Sequence, residues 1–179
     1  MVANATRVAA ALAASLAAAG CGETSGPVER TIRLVVSTDL TVPNEIDGLT
    51  ITGSRGGDVR FSESYEQPAV EALPDSMLLH NEQRLDDQGH EITTPIQLRV
   101  DGTLGGSTVV TRTAQLSFLN DEPAVLYLPL CRVCASHPDC GAGFTCMLGE
   151  CESDQVDVST LREDDGTQPD ESPECPSGA

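Results

Sequence analysis

Lysine and tryptophan are missing from the 179 residues, and aromatic side chains make up only 3% of them. Without lysine there is no Schiff-base chemistry and no phosphate-binding P-loop. Basic charge is scarce as well: ten Arg stand against 28 Asp and Glu, a formal net charge of −18. Such a chain repels phosphate backbones instead of releasing their counterions, which excludes nucleic acid and anionic headgroups as partners. Gly-x-Ser-x-Gly, Gly-x-Gly-x-x-Gly and His-Glu-x-x-His are all absent from the sequence, so no motif calls for a hydrolase nucleophile, a dinucleotide or another cofactor. An enzyme is not expected. Long helical periodicity is missing too, and the length allows one domain of ordinary size.

What is present begins with a leader. Arg7 precedes an Ala- and Leu-rich stretch of twelve residues, Val8 to Ala19, too short to cross a bilayer but suited to the apolar core of a secretory signal. It ends in Leu16-Ala17-Ala18-Ala19-Gly20-Cys21, which resembles the bacterial lipobox. That resemblance implies removal of residues 1–20 and lipidation of Cys21, whose acyl chains anchor the chain in a membrane. In the lipoproteins it resembles, a residue other than Asp after the cysteine, here Gly22, implies the outer membrane or cell surface. The alternative is an ordinary signal cut after Ala17-Ala18-Ala19, leaving Cys21 unmodified. Parity favours acylation: of seven Cys, setting Cys21 aside leaves six, an even set for an oxidising compartment. Residues 21–29, mostly Gly, Ser, Thr, Pro and Glu, read as a tether.

From Arg30 the pattern changes to period two. Ile32, Leu34 and Val36 alternate with polar neighbours, as do Leu49 and Ile51, and then Ile96, Leu98 and Val100. Gly53 to Asp58 predicts a hairpin turn within 48–64. Gln67 to Leu73 allows one helical turn, ended by Pro74. Residues 107–119 set Val110, Ala114, Leu116 and Phe118 against Thr111, Thr113 and Gln115, and Leu126, Leu128 and Leu130 close the run. Short strands with turn signals every eight to twelve residues predict an all-β domain over 30–130, an antiparallel seven-stranded immunoglobulin-like sandwich.

The six remaining cysteines, Cys131, Cys134, Cys140, Cys146, Cys151 and Cys175, all follow Leu130. Residues 131–151 read as a disulfide knot, with Gly143 and Gly149 at its tight turns. Its spacing is similar to that of small extracellular modules such as EGF-like and Dickkopf-like repeats. Six cysteines allow fifteen pairings, and spacing does not choose among them. The layout as a whole also resembles a group of predicted lipoproteins from GC-rich Gram-negative bacteria: a lipobox, a β-rich domain, a short knot and a tail like Val156-Asp157-Val158-Ser159-Thr160-Leu161. The resemblance implies architecture and location and carries no activity.

Rival chemistry is thin. Cys131-x-x-Cys134 with Cys140 or His137 offers soft metal ligands without a second C-x-x-C. His80 and His90 flank Asp86-Asp87, an acid/base arrangement that equally suits a polar hairpin tip. Glu150 to Glu174 carries ten carboxylates and one Arg, so residues 152–179 read as a solvated acidic tail, a place for calcium only if the ligand spacing allowed it. The leading expectation is a lipid-anchored envelope module that binds a protein or glycan through the loops Ser54–Asp58 or Asp86–His90, or through the knot. Tyr65 and Phe144 are its scarce aromatic candidates. A metal-binding protein using the Cys/His segment or the acidic tail is the alternative.

Overall fold

A computed structural model describes residues 30–81, 88, 94–117, 123–135, 140–166 and 175. Cys21 with its leader and tether, His90, His137, Phe118 and the Asp86-Asp87 pair lie outside the described residues.

Strands form where apolar residues alternate. In β1 (Arg30–Thr38) the buried apolar set is Ile32, Leu34, Val35 and Val36, and in β2 (Gly48–Arg55) it is Leu49 and Ile51. After β3 (Asp58–Glu66) and β4 (Asp75–Asn81), β5 (Ile96–Leu104) buries Ile96, Leu98 and Val100. Next, β6 (Ser107–Leu116) buries Val110, Ala114 and Leu116, and β7 (Ala124–Leu130) buries Leu126, Leu128 and Leu130. Three short strands follow: β8 (Phe144–Met147), β9 (Glu150–Ser153) and β10 (Arg162–Glu163).

The fold is all-β, with two four-stranded sheets ordered β10–β7–β1–β4 and β3–β2–β5–β6 and a separate β8–β9 pair. The two larger sheets contribute to one apolar core. Burying a side chain such as Leu34 or Leu98, both with no exposed surface, stabilises the fold by about 1.5–3 kcal/mol relative to leaving it in water. The expected hairpin is β2–β3, reversing at Gly56 and Gly57 with φ of 60° and 89°, values that L side chains rarely adopt. Gly53 is fixed by packing instead, because a Cβ there would stand 2.1 Å from the Phe61 ring. The helical turn is a 3-10 turn, Ala69–Ala72, entered from Pro68.

Three features depart from the sequence reading. Beyond the seven strands β1–β7 within 30–130, the described residues add β8 and β9 as a third sheet and β10 at the edge of β7, ten strands in three sheets. Strands β1 and β7 run parallel, Ile32 beside Ala124 through Thr38 beside Leu130. No helical crossover is needed for that, because the chain reaches β7 from the opposite sheet. The third departure is the acidic stretch after the knot, which through residue 166 is built into the fold. There β10 pairs with β7, Arg33 Nε donates to Asp164 Oδ2 at 2.8 Å, and Val158 is buried. Asp157 caps the 3-10 turn Val158–Thr160, and hydrogen bonds from the Ser159 hydroxyl and amide hold its carboxyl below the usual range. Charge density concealed the apolar residues Val156, Val158 and Leu161 that pack here.

Candidate functional site

Strand β6 ends its sheet, so its outward amides and carbonyls need partners. Residues 144–156 supply them. Thr113 N donates to Thr145 Oγ1 at 2.9 Å, Gln115 N to the Asp154 carbonyl at 2.6 Å, and Val156 N to the Gln115 carbonyl at 2.8 Å. From the inner face of β6, Arg112 is 5% exposed and donates from Nη1 to the Cys146 carbonyl. Burial lowers the pKa of this guanidinium, an effect the nearby Glu152 partly offsets.

The disulfides hold this arrangement: Cys134–Cys146 ties β8 to the end of β7, Cys140–Cys151 closes the hairpin, and Cys131–Cys175 returns the tail to β7. None joins cysteines adjacent in the series. Cys146 and Cys151 face each other across β8 and β9, yet each bonds to a cysteine outside the hairpin strands. All six sulfurs are thus consumed, and Cys131-x-x-Cys134 offers no thiolate to a metal. Among the described residues, no three His, Cys, Asp or Glu side chains converge as a metal site. The knot is also clipped to the loop after β1, where Arg132 donates to Glu45 from Nε at 2.9 Å and to the Asp39 carbonyl from Nη2 at 2.9 Å. The Arg132 guanidinium, with the Thr41 amide, brings the Glu45 carboxyl down to about 2.

Between the outer face of β5–β6 and this stapled segment lies a polar cleft of about 230 Å³. Gln97, Arg99, Thr111 and Thr113 form its floor, and Gly141 to Thr145 with Asp154 form its wall. Arg99 donates from Nε to Asp101 Oδ2 at 2.7 Å and from Nη2 to Thr111 Oγ1 at 3.3 Å, and the Asp101 bond keeps it firmly protonated. The hydroxyl-rich surface continues outward, with Thr50 and Thr52 bonded to Ser64 and Ser62 at 3.2 and 3.3 Å. Asp154 is 3% exposed, and its Oδ1 has no hydrogen-bond partner among the described residues. A buried carboxylate oxygen left unpaired costs free energy, so its retention asks for an explanation. Beside it Phe144 is 52% exposed.

Of the residues singled out from the sequence, the cleft gathers Phe144, Cys140 and Cys146. Tyr65 is elsewhere, on the opposite edge strand of the same sheet, so the two aromatics form no joint patch. It lines a small apolar cavity of about 30 Å³ with Leu73 and Met77, where burial, then Glu63 and Asp75, push its phenol above the usual value. Ser54–Asp58 is the tip of the β2–β3 hairpin, and His80 is exposed on β4 opposite Thr31. The sequence reading missed Gln97, Arg99 and Asp154. The first two are the solvent-side half of an alternating strand, a signal that carries no site by itself. Asp154 is hidden in a run of acids.

The three disulfides fit an oxidising, extracytoplasmic environment. No helix among the described residues is long and apolar enough to cross a membrane. Protein-family models, curated proteins and solved structures yield no match to the chain.

Proposed function

We propose that the chain is a cell-envelope lipoprotein, anchored through acylated Cys21 in the outer membrane, whose domain is a binding module and not an enzyme. The observation that carries the binding reading is the cleft, lined by the exposed Phe144, by Gln97 and Arg99, and by Asp154, whose buried Oδ1 has no partner among the described residues. Its groups are a carboxylate, a paired guanidinium, an amide and hydroxyls. They bind and orient polar ligands; the Thr111 hydroxyl donates to Asp101 Oδ1 at 2.5 Å, and Arg99 bonds to both groups and holds them as a fixed polar network. The fold of β1–β7 is read as an immunoglobulin-like sandwich, supported by two sheets around one core. The lipidated-leader reading is supported by the lipobox-like Leu16 to Cys21 and by three disulfides that use every cysteine except Cys21. Resemblance to envelope lipoproteins with a terminal knot agrees with both.

Two measurements test this. Intact mass of the chain extracted from its host's membranes should begin at acylated Cys21, with six thiols appearing only after reduction. A chain starting at Met1 with free thiols contradicts export. For binding, isotope-labelled full chain in detergent is titrated with solubilised host envelope material. Amide shifts should cluster at residues 97–113 and 140–154 and disappear in Phe144→Ala. Shifts confined to other surfaces, or none, contradict the cleft as the site.

A further inference from the structure

We infer that the ligand of this cleft is a neutral saccharide, recognised by Asp154, Gln97 and Arg99 through its hydroxyls and by Phe144 through a ring face. The inference rests on the binding-module reading and adds the chemical class. Asp154 Oδ1 is a pure acceptor, buried and unpaired, and its natural complement is an O–H or N–H donor brought by a ligand. Arg99 is a pure donor whose charge is already matched by Asp101 at 2.7 Å, so what it offers is its remaining N–H groups. Gln97 presents a donor and an acceptor together, and the Thr113 hydroxyl can take either role, whereas the Thr111 hydroxyl already donates to Asp101 Oδ1 at 2.5 Å. A ligand meeting acceptors and donors in alternation within one small cleft must itself carry groups that do both, which hydroxyls do.

Charge narrows the class further. The chain's net charge of −18 disfavours phosphates and uronic acids over the whole approach path. A simple cation is disfavoured by the Arg99 guanidinium on the cleft floor and by the absence of a three-ligand cluster among the described residues. Phe144 supplies the apolar part: more than half exposed in a chain poor in aromatics, it offers a flat face to the C–H groups of a sugar ring. The volume of about 230 Å³ falls short of the roughly 300–1,000 Å³ of sites that bury a drug-sized ligand. It therefore takes one ring-sized unit of a longer chain, whose remainder runs along the open Ser/Thr face.

The test presents the oxidised full chain in detergent to neutral hexose oligosaccharides, uronic-acid oligosaccharides and phosphorylated oligosaccharides, with and without EDTA. Neutral oligosaccharides should bind, unchanged by EDTA. Phe144→Ala and Gln97→Ala, both at exposed positions, should each weaken binding by about tenfold without changing Tm, and Phe144→Tyr should retain it. Preference for the charged oligosaccharides, or loss of binding in EDTA, overturns the assignment. If no oligosaccharide binds while envelope material still shifts the cleft amides, the saccharide class falls and the binding module stands. If neither gives a signal at the cleft, both fall.

Discussion

Two regions of one short chain reach a folded state by different physics. Residues 30–130 bury nearly all of the apolar core, including the fully buried Leu34, Leu98 and Leu130. Among the described residues beyond Leu130 the buried apolar side chains are Cys131, Cys134, Cys146 and Val158, and β9 is exposed along its whole length. Burial holds the first region; three disulfides, a few edge hydrogen bonds and the Arg33–Asp164 pair hold the second. A region without the apolar content to organise itself can still form one wall of a cleft, provided covalent staples set it against a rigid sheet.

The contrast can be broken first in the core. Leu98→Ala should cost about 2–5 kcal/mol, read by urea unfolding, since the site is closed on all sides and cannot collapse around the cavity. A loss under about 1 kcal/mol, small beside the usual cost of such a truncation, would mean that burial is not what holds the two sheets together. Replacing both Cys131 and Cys175 by Ser opens a link spanning 44 residues. The expected loss is about 2–4 kcal/mol, accompanied by faster amide exchange at Arg162 and Glu163. Exchange unchanged there would show that the tail is held without its staple.

A third variant changes sign. Asp154→Asn replaces a buried, unpartnered carboxylate by a neutral group of the same shape, and should raise stability by about 1 kcal/mol while weakening ligand binding. Destabilisation instead would make Asp154 a structural residue. The smallest effect concerns the clip between the regions. The Glu45 carboxyl is lowered from 4.5 to about 2 by Arg132 and Thr41. Its contribution is therefore complete above pH 4.5 and is lost as pH falls towards 2. A Glu45→Gln variant should flatten that part of the acid-stability profile, and identical profiles for the two proteins would remove the clip from the account.

Sheet-forming residues were legible in the sequence because burial of one face imposes period two, which Ile96 to Val100 obeys, while in β1 and β7, interior strands of their sheet, Val35 and Val125 are buried as well as the alternating set. The parallel β1–β7 pairing was not, since alternation says which face is buried and nothing about strand direction. Arg112 also escaped: it occupies a core-facing position of β6 because Cys146, from a distant segment, accepts its hydrogen bond. The cleft was half legible. Phe144 stood out as a rare aromatic and the cysteines as staples, but Asp154 acquires meaning only when residues 144–156 close the edge of β6. Disulfide partners were likewise unreadable, because the pairing follows from where the hairpin docks.

Hydrogen exchange by mass spectrometry, run on the full chain before and after reduction of its disulfides at neutral pH, tests the division most directly. Protection should collapse across residues 140–166 and at the outward amides of β6, while β1, β2 and β5 stay protected. Uniform loss along the chain, or protection of residues 140–166 that survives reduction, would contradict it.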